Sequence, residues 1–168
     1  MDYKSEDGGS NWAVASDTLG VYSGTYSPTL TLTNVPASFD GYQYRCRVVN
    51  RIGGATDYDV YSNVATLTVI PALTVEPKTL SFTKAGGTID IDIKSNASWE
   101  ISTNANWLTF ARSGGGISGY YASSLSGNGT TKITVKAAAY SFLNLRFATF
   151  TIKAGSRTET VSVTQTGN

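Results

Sequence analysis

Apolar and polar residues alternate with period two along most of this chain. Thr29–Thr33 places Leu30 and Leu32 on one side. Tyr42, Tyr44, Cys46 and Val48 share a side, opposite Gln43, Arg45 and Arg47. Ala65, Leu67 and Val69 repeat the pattern, as do Ile89, Ile91 and Ile93 against Asp90, Asp92 and Lys94. Ile133 and Val135, Phe150 and Ile152, and Val161 and Val163 continue it. Alternation of this kind predicts half-buried antiparallel strands. Turn residues separate them at Asp7-Gly8-Gly9, Gly53-Gly54, Gly86-Gly87, Gly114-Gly115-Gly116 and Gly127-Asn128-Gly129. No segment has a helical period, and Ala137–Tyr140 supports a short turn at most.

A boundary falls near Val69-Ile70-Pro71-Ala72-Leu73. Pro71 donates no ladder hydrogen bond and so suits a strand end or a stiff linker. A fresh series of strands follows it. The expected architecture is all-β, with two antiparallel β-sandwich domains in tandem over residues 1–70 and 71–168.

Composition narrows the function. Charged residues are 15% of the chain and its net charge is +1. Thirteen basic residues are scattered among 12 acidic ones, which gives no stripe for nucleic acid. No apolar run approaches the roughly 18 residues of a membrane span. Histidine is absent, so no Ser/His/Asp or Cys/His nucleophile can form within the chain. Four glutamates, Glu6, Glu76, Glu100 and Glu159, lie far apart and outside any pocket-forming context, unlike the facing pair a glycosidase needs. Asp57-x-Asp59 and Asp90-x-Asp92 would each put two carboxylates on one strand face, and both read as solvated outer-face groups rather than a calcium site. No catalytic residue, metal ligand or cofactor is expected.

Asp40-Gly41-Tyr42-Gln43-Tyr44-Arg45-Cys46 resembles strand F of immunoglobulin domains, with Tyr44 where the tyrosine corner sits. Leu30-x-Leu32-x-x-Val35 resembles strand E, Ser62–Val69 resembles strand G, and Tyr3–Trp12 resembles the C–C′ hairpin. The resemblance covers residues 3–69 and implies that Tyr44 bonds upstream backbone. It also implies that the N-terminal strands of the sandwich are absent, which favours an export signal upstream over a cytoplasmic protein. Strand E would then present an open edge near Leu30 and Leu32, suited to self-association or to a partner strand. Cys46 has no cysteine partner in the chain and reads as a small buried hydrophobe.

The second half runs through Leu80-Ser81-Phe82, Gly86-Gly87, Trp99, Asn106-Trp107-Leu108 and a closing Val161-Ser162-Val163-Thr164-Gln165. Over residues 73–167 this succession resembles the BACON domain, a β-sandwich of Bacteroidetes proteins whose name records a carbohydrate-binding role. Residues 112–145 look enlarged relative to that family. The resemblance places Trp99 and Trp107 in the core. The aromatic candidates for a glycan site are therefore Tyr120, Tyr121, Tyr140 and Phe142, in irregular or glycine-flanked stretches where binding residues concentrate. The resulting expectation is a non-catalytic, extracellular or cell-surface module for glycan or mucin binding or adhesion. The alternatives are a structural spacer and a protein-binding module that uses its strand edge.

Overall fold

The computed structural model describes residues 1–16, 20–50, 58–113 and 121–167. The chain divides into two compact units, Met1–Ile70 and Pro71–Asn168. Among the described residues every regular element is a β-strand, apart from a 3-10 turn at Ala37–Phe39.

The first unit holds β1 (Asp2–Ser5), β2 (Ala13–Val14), β3 (Tyr22–Ser23), β4 (Thr31–Leu32), β5 (Gln43–Asn50), β6 (Tyr58–Tyr61) and β7 (Ala65–Thr66). One sheet runs β2-β1-β5-β6, with β7 also on β5, while β3 and β4 form a separate pair. The β1–β2 connection is fixed by Asp7. Its carboxylate accepts hydrogen bonds from the Asn11 backbone N–H at 2.9 Å, the Ser5 hydroxyl at 2.7 Å and the Asn11 amide at 2.6 Å. These donors, the Asn11 N–H first, hold the Asp7 pKa down at about 2.

Two strands are shorter than the alternation predicts. β4 spans only Thr31–Leu32, because Ser27 ties the preceding turn to the carbonyls of Gly24 and Thr29, and Asn34 turns left-handed at φ 50° just beyond. The stretch expected as strand G is regular strand only at Ala65–Thr66, although Leu67 still exchanges backbone hydrogen bonds with Gly41 and Tyr42. The Ser62 hydroxyl takes the Cys46 N–H at 2.9 Å, where a ladder carbonyl would otherwise sit, so the pairing breaks there.

The inner face of this sheet is a cluster of rings. Tyr22 is buried and lies 6.0 Å from Phe39 and 6.2 Å from Tyr44, and Phe39 stacks on Tyr42 at 4.6 Å. Lys4 reaches over three of these rings and pairs with Glu6. Tyr44 departs from the expected corner. Its hydroxyl lies 3.2 Å from that of Tyr22 rather than on an upstream carbonyl, and burial followed by this contact raises the Tyr22 pKa. Ala15 and Tyr22 are the fully buried apolar residues of this unit among those described. Leu30, Leu32 and Cys46 are half-buried, and β4 pairs with β3 alone among the described strands.

The second unit holds β8 (Leu73–Glu76), β9 (Thr79–Phe82), β10 (Gly87–Ser95), β11 (Ser98–Thr103), β12 (Leu108–Arg112), β13 (Ser124–Asn128), β14 (Thr131–Ala137), β15 (Arg146–Ala154) and β16 (Arg157–Gln165). Two sheets, β12-β14-β10-β8 and β13-β11-β15-β16-β9, form a sandwich. Neighbouring strands are antiparallel except β9, which runs parallel to β16. The apolar parity of each strand meets in one core, including Ile91, Ile93, Leu108, Phe110, Ile133, Val135, Phe150, Ile152, Val161 and Val163. Phe110 and Phe150 cross edge-to-face between the sheets at 5.1 Å, a favoured ring geometry.

Trp99 is 2% exposed and donates its indole N–H to the Gly129 carbonyl at 3.0 Å. Gly127 lies against it so closely that an added Cβ would fall 2.3 Å from the indole ring. The core placement expected for Trp99 is therefore met, and Trp107 packs against the core half-buried.

Candidate functional site

On a two-layered sheet, function falls to whatever the outward parity presents. On β15 the inward residues Phe150 and Ile152 leave Phe147, Thr149 and Thr151 facing out. The register carries this pattern across the sheet. Phe147 lies opposite Thr164, which lies opposite Ser81. Thr149 lies opposite Ser162, which lies opposite Thr79. Thr151 lies between Ser102 and Thr160.

Phe147 is 68% exposed within this field of hydroxyls. It stands between two open hollows. One, of about 320 Å³, is lined by Ser102, Asn104, Thr149 and Thr151 among others. The other, of about 330 Å³, is lined by Thr149, Ser162 and Thr164 among others. No ionisable side chain lines either hollow. An exposed ring edged by hydroxyls and an amide suits a neutral, polar ligand that has one apolar face.

The segment before β15 carries further exposed apolar residues. Phe142, Leu143 and Leu145 are exposed, yet their loop is firmly held. Gly167 lies under it, where a Cβ would fall 2.3 Å from the Phe142 carbonyl oxygen, so only glycine admits this approach. Arg146 fixes the loop's base. Its guanidinium lies 4.1 Å from the Trp107 ring and 4.2 Å from the Tyr140 ring. It donates to the Gln165 side-chain oxygen at 2.9 and 2.7 Å and to the Ala138 carbonyl at 2.8 Å. Gln165 is fully buried and donates onward to the carbonyls of Thr83 and Ala138. Burial lowers the Arg146 pKa from its ordinary value.

Of the four aromatic candidates, the structure brings two together. Tyr140 and Phe142 lie 5.4 Å apart, Tyr140 half-buried on Arg146 and Phe142 67% exposed. Tyr121 is half-buried, with Lys136 of β14 lying 4.7 Å from its ring centre. It thus packs on the sheet opposite the one that bears Phe147. Tyr120 lies outside the described residues. Phe147 was missed, although its parity carries a signal: it is two residues from Thr149 and out of step with Phe150.

The carboxylates expected to be outer-face groups have small partners or cations. Asp90 accepts from the hydroxyls of Ser113 and Thr134, Asp92 pairs with Lys132, and Asp59 pairs with Arg47. Asp57 lies outside the described residues. Among the described residues no cluster of acidic, histidine or cysteine side chains could hold a metal ion, and no helix is long and apolar enough to cross a membrane.

No curated protein matches the chain. Among solved structures, a Bacteroides ovatus GH5 xyloglucanase in complex with a XXXG heptasaccharide matches at 24% identity and TM-score 0.47, over 59% of this chain and 19% of that one. Domains 4 and 5 of the S-layer protein SbsC match at 18% identity and TM-score 0.39, over 75% and 56%. The BIgI domain of beta protein from S. agalactiae, bound to CEACAM1, matches at 10% identity and TM-score 0.35, over 59% and 99%. The chain thus spans about a fifth of the xyloglucanase. The family model of BACON, described as "Putative binding domain, N-terminal", matches residues 97–166, and the second unit of this protein therefore carries a BACON domain.

Proposed function

We propose that the second unit is a non-catalytic carbohydrate-binding module of a secreted or cell-surface protein, and that its ligand lies across the outer face of β15 and β16. The observation that carries this reading is Phe147, exposed between two uncharged hollows edged by hydroxyls. A sugar ring has an apolar CH face and a rim of hydroxyls. The Phe147 ring would take the face, while Thr149, Ser162 and Thr164 would meet the rim. Phe142 and Tyr140, on the pinned loop, would extend the surface to a neighbouring sugar.

The test is calorimetric titration of the full chain with a panel of neutral plant polysaccharides and mucin glycans. Phe147→Ala should weaken binding about tenfold or more, the loss expected for an apolar ring contact of roughly 1.5 kcal/mol. Thermal unfolding should be unchanged, because the ring is outside the core. Silence of the wild-type chain across the panel would overturn the reading in favour of a spacer.

A further inference from the structure

The first unit contains a second arginine held between two aromatic rings, and its surroundings differ from those of Arg146. On β5, Arg45 lies with its guanidinium 4.0 Å from the Trp12 ring and 4.2 Å from the Tyr61 ring. Tyr3 meets Tyr61 edge-on at 6.3 Å. The next residue on the same face, Arg47, donates to Asp59 at 2.6 Å and to the Tyr3 hydroxyl at 3.3 Å. Arg45 has no such partner. Among the described residues nothing accepts a hydrogen bond from its guanidinium, and its Nε, like that of Arg47, is buried without one. A guanidinium clamped by rings has lost its rotamer freedom already, so it can grip a planar carboxylate with little further ordering cost.

We propose that this face of the first unit is a binding surface for an acidic peptide, with a carboxylate seated on Arg45. Charge selects an acid, since among the described residues of these strands Arg47 is matched by Asp59 and Arg45 is left as the unmatched cation of the face. Composition selects a peptide. Trp12, Tyr3, Tyr61 and the two arginines are the residue types that carry protein interfaces. Val14 and Val49 on the same face are 37% and 39% exposed, which suits apolar side chains better than sugar hydroxyls. The inference is independent of the glycan site on the second unit.

The experiment titrates the full chain with a capped peptide of alternating glutamate and valine and follows tryptophan fluorescence and heat. The controls are the same peptide with glutamine for glutamate, and an oligogalacturonate. The glutamate peptide should bind and the glutamine peptide should bind at least about tenfold more weakly. Arg45→Lys keeps the charge but loses the planar fork, and should also weaken binding about tenfold. Tyr61→Ala supplies a second variant should Arg45→Lys fold poorly, and should weaken binding as well. Phe147→Ala should leave peptide binding unchanged. Absence of glutamate-peptide binding, equal binding of the glutamine peptide, or full affinity in a folded Arg45→Lys chain would overturn the proposal. Tighter binding of oligogalacturonate than of the peptide would overturn the choice of a peptide.

Discussion

Arg146 and Arg45 are both held between a tryptophan and a tyrosine at about 4 Å, yet they are opposites in their hydrogen bonds. Arg146 spends its donors on Gln165 and Ala138, inside the protein. Arg45 spends none among the described residues. The same stacking motif thus serves two ends. In the second unit it locks a loop onto a closed sandwich. In the first it holds a cation in place with no side-chain acceptor among the described residues. The two interiors differ in the same sense: a continuous aliphatic and aromatic core in one, a ring cluster around Lys4 in the other.

The largest effect should come from breaking the closed arginine. Arg146→Ala would leave the buried Gln165 oxygen without its donors, at a cost of about 3 kcal/mol to the second unit. Arg45→Ala should cost the first unit only about 1 kcal/mol, the worth of its ring contacts. Denaturant unfolding of both variants measures the pair, and equal losses would end the contrast.

Next in size is Gly127→Ala, whose methyl would press into the Trp99 ring and cost about 2 kcal/mol by overpacking. Gly8→Ala, with open space around it and φ of 71°, should cost nearer 1 kcal/mol, from backbone strain alone. Differential scanning calorimetry separates the two.

The smallest effect is a pH dependence confined to the first unit. Asp7 has its pKa depressed from 3.8 to about 2 in the folded state. Its contribution is therefore complete above 3.8 and fades as pH falls through about 2. NMR titration of the Asp7 carboxyl should find that low midpoint, and Asp7→Asn should flatten the acid dependence of unfolding. A midpoint at the ordinary value would remove Asp7 as the anchor of the hairpin.

Much of the second unit was legible from parity alone, because a strand covered on one face must repeat every second residue. Trp99 and the closing Gln165 were legible only through family resemblance. Their partners, Gly129, Arg146, Thr83 and Ala138, lie far away in sequence. Phe147 lies outside the irregular loops, on the outward parity of a regular strand, where residue type alone does not separate an exposed ring from a core one. β4 came out shorter than its alternation promised, since the Ser27 hydroxyl at the turn captured the carbonyls of Gly24 and Thr29. Ser62 cut the closing strand by the converse route, its hydroxyl accepting the Cys46 N–H. Such competition between a side chain and a ladder depends on geometry that a two-residue period does not encode.

The parallel pairing of β9 with β16 has a mechanical consequence. Tension that reached β9 from its N-terminal end and β16 from its C-terminal end would drag the two strands in opposite directions along their length. Their cross-links would then resist together in shear instead of parting one after another like a zip. Such a unit would suit a tether that must hold under flow.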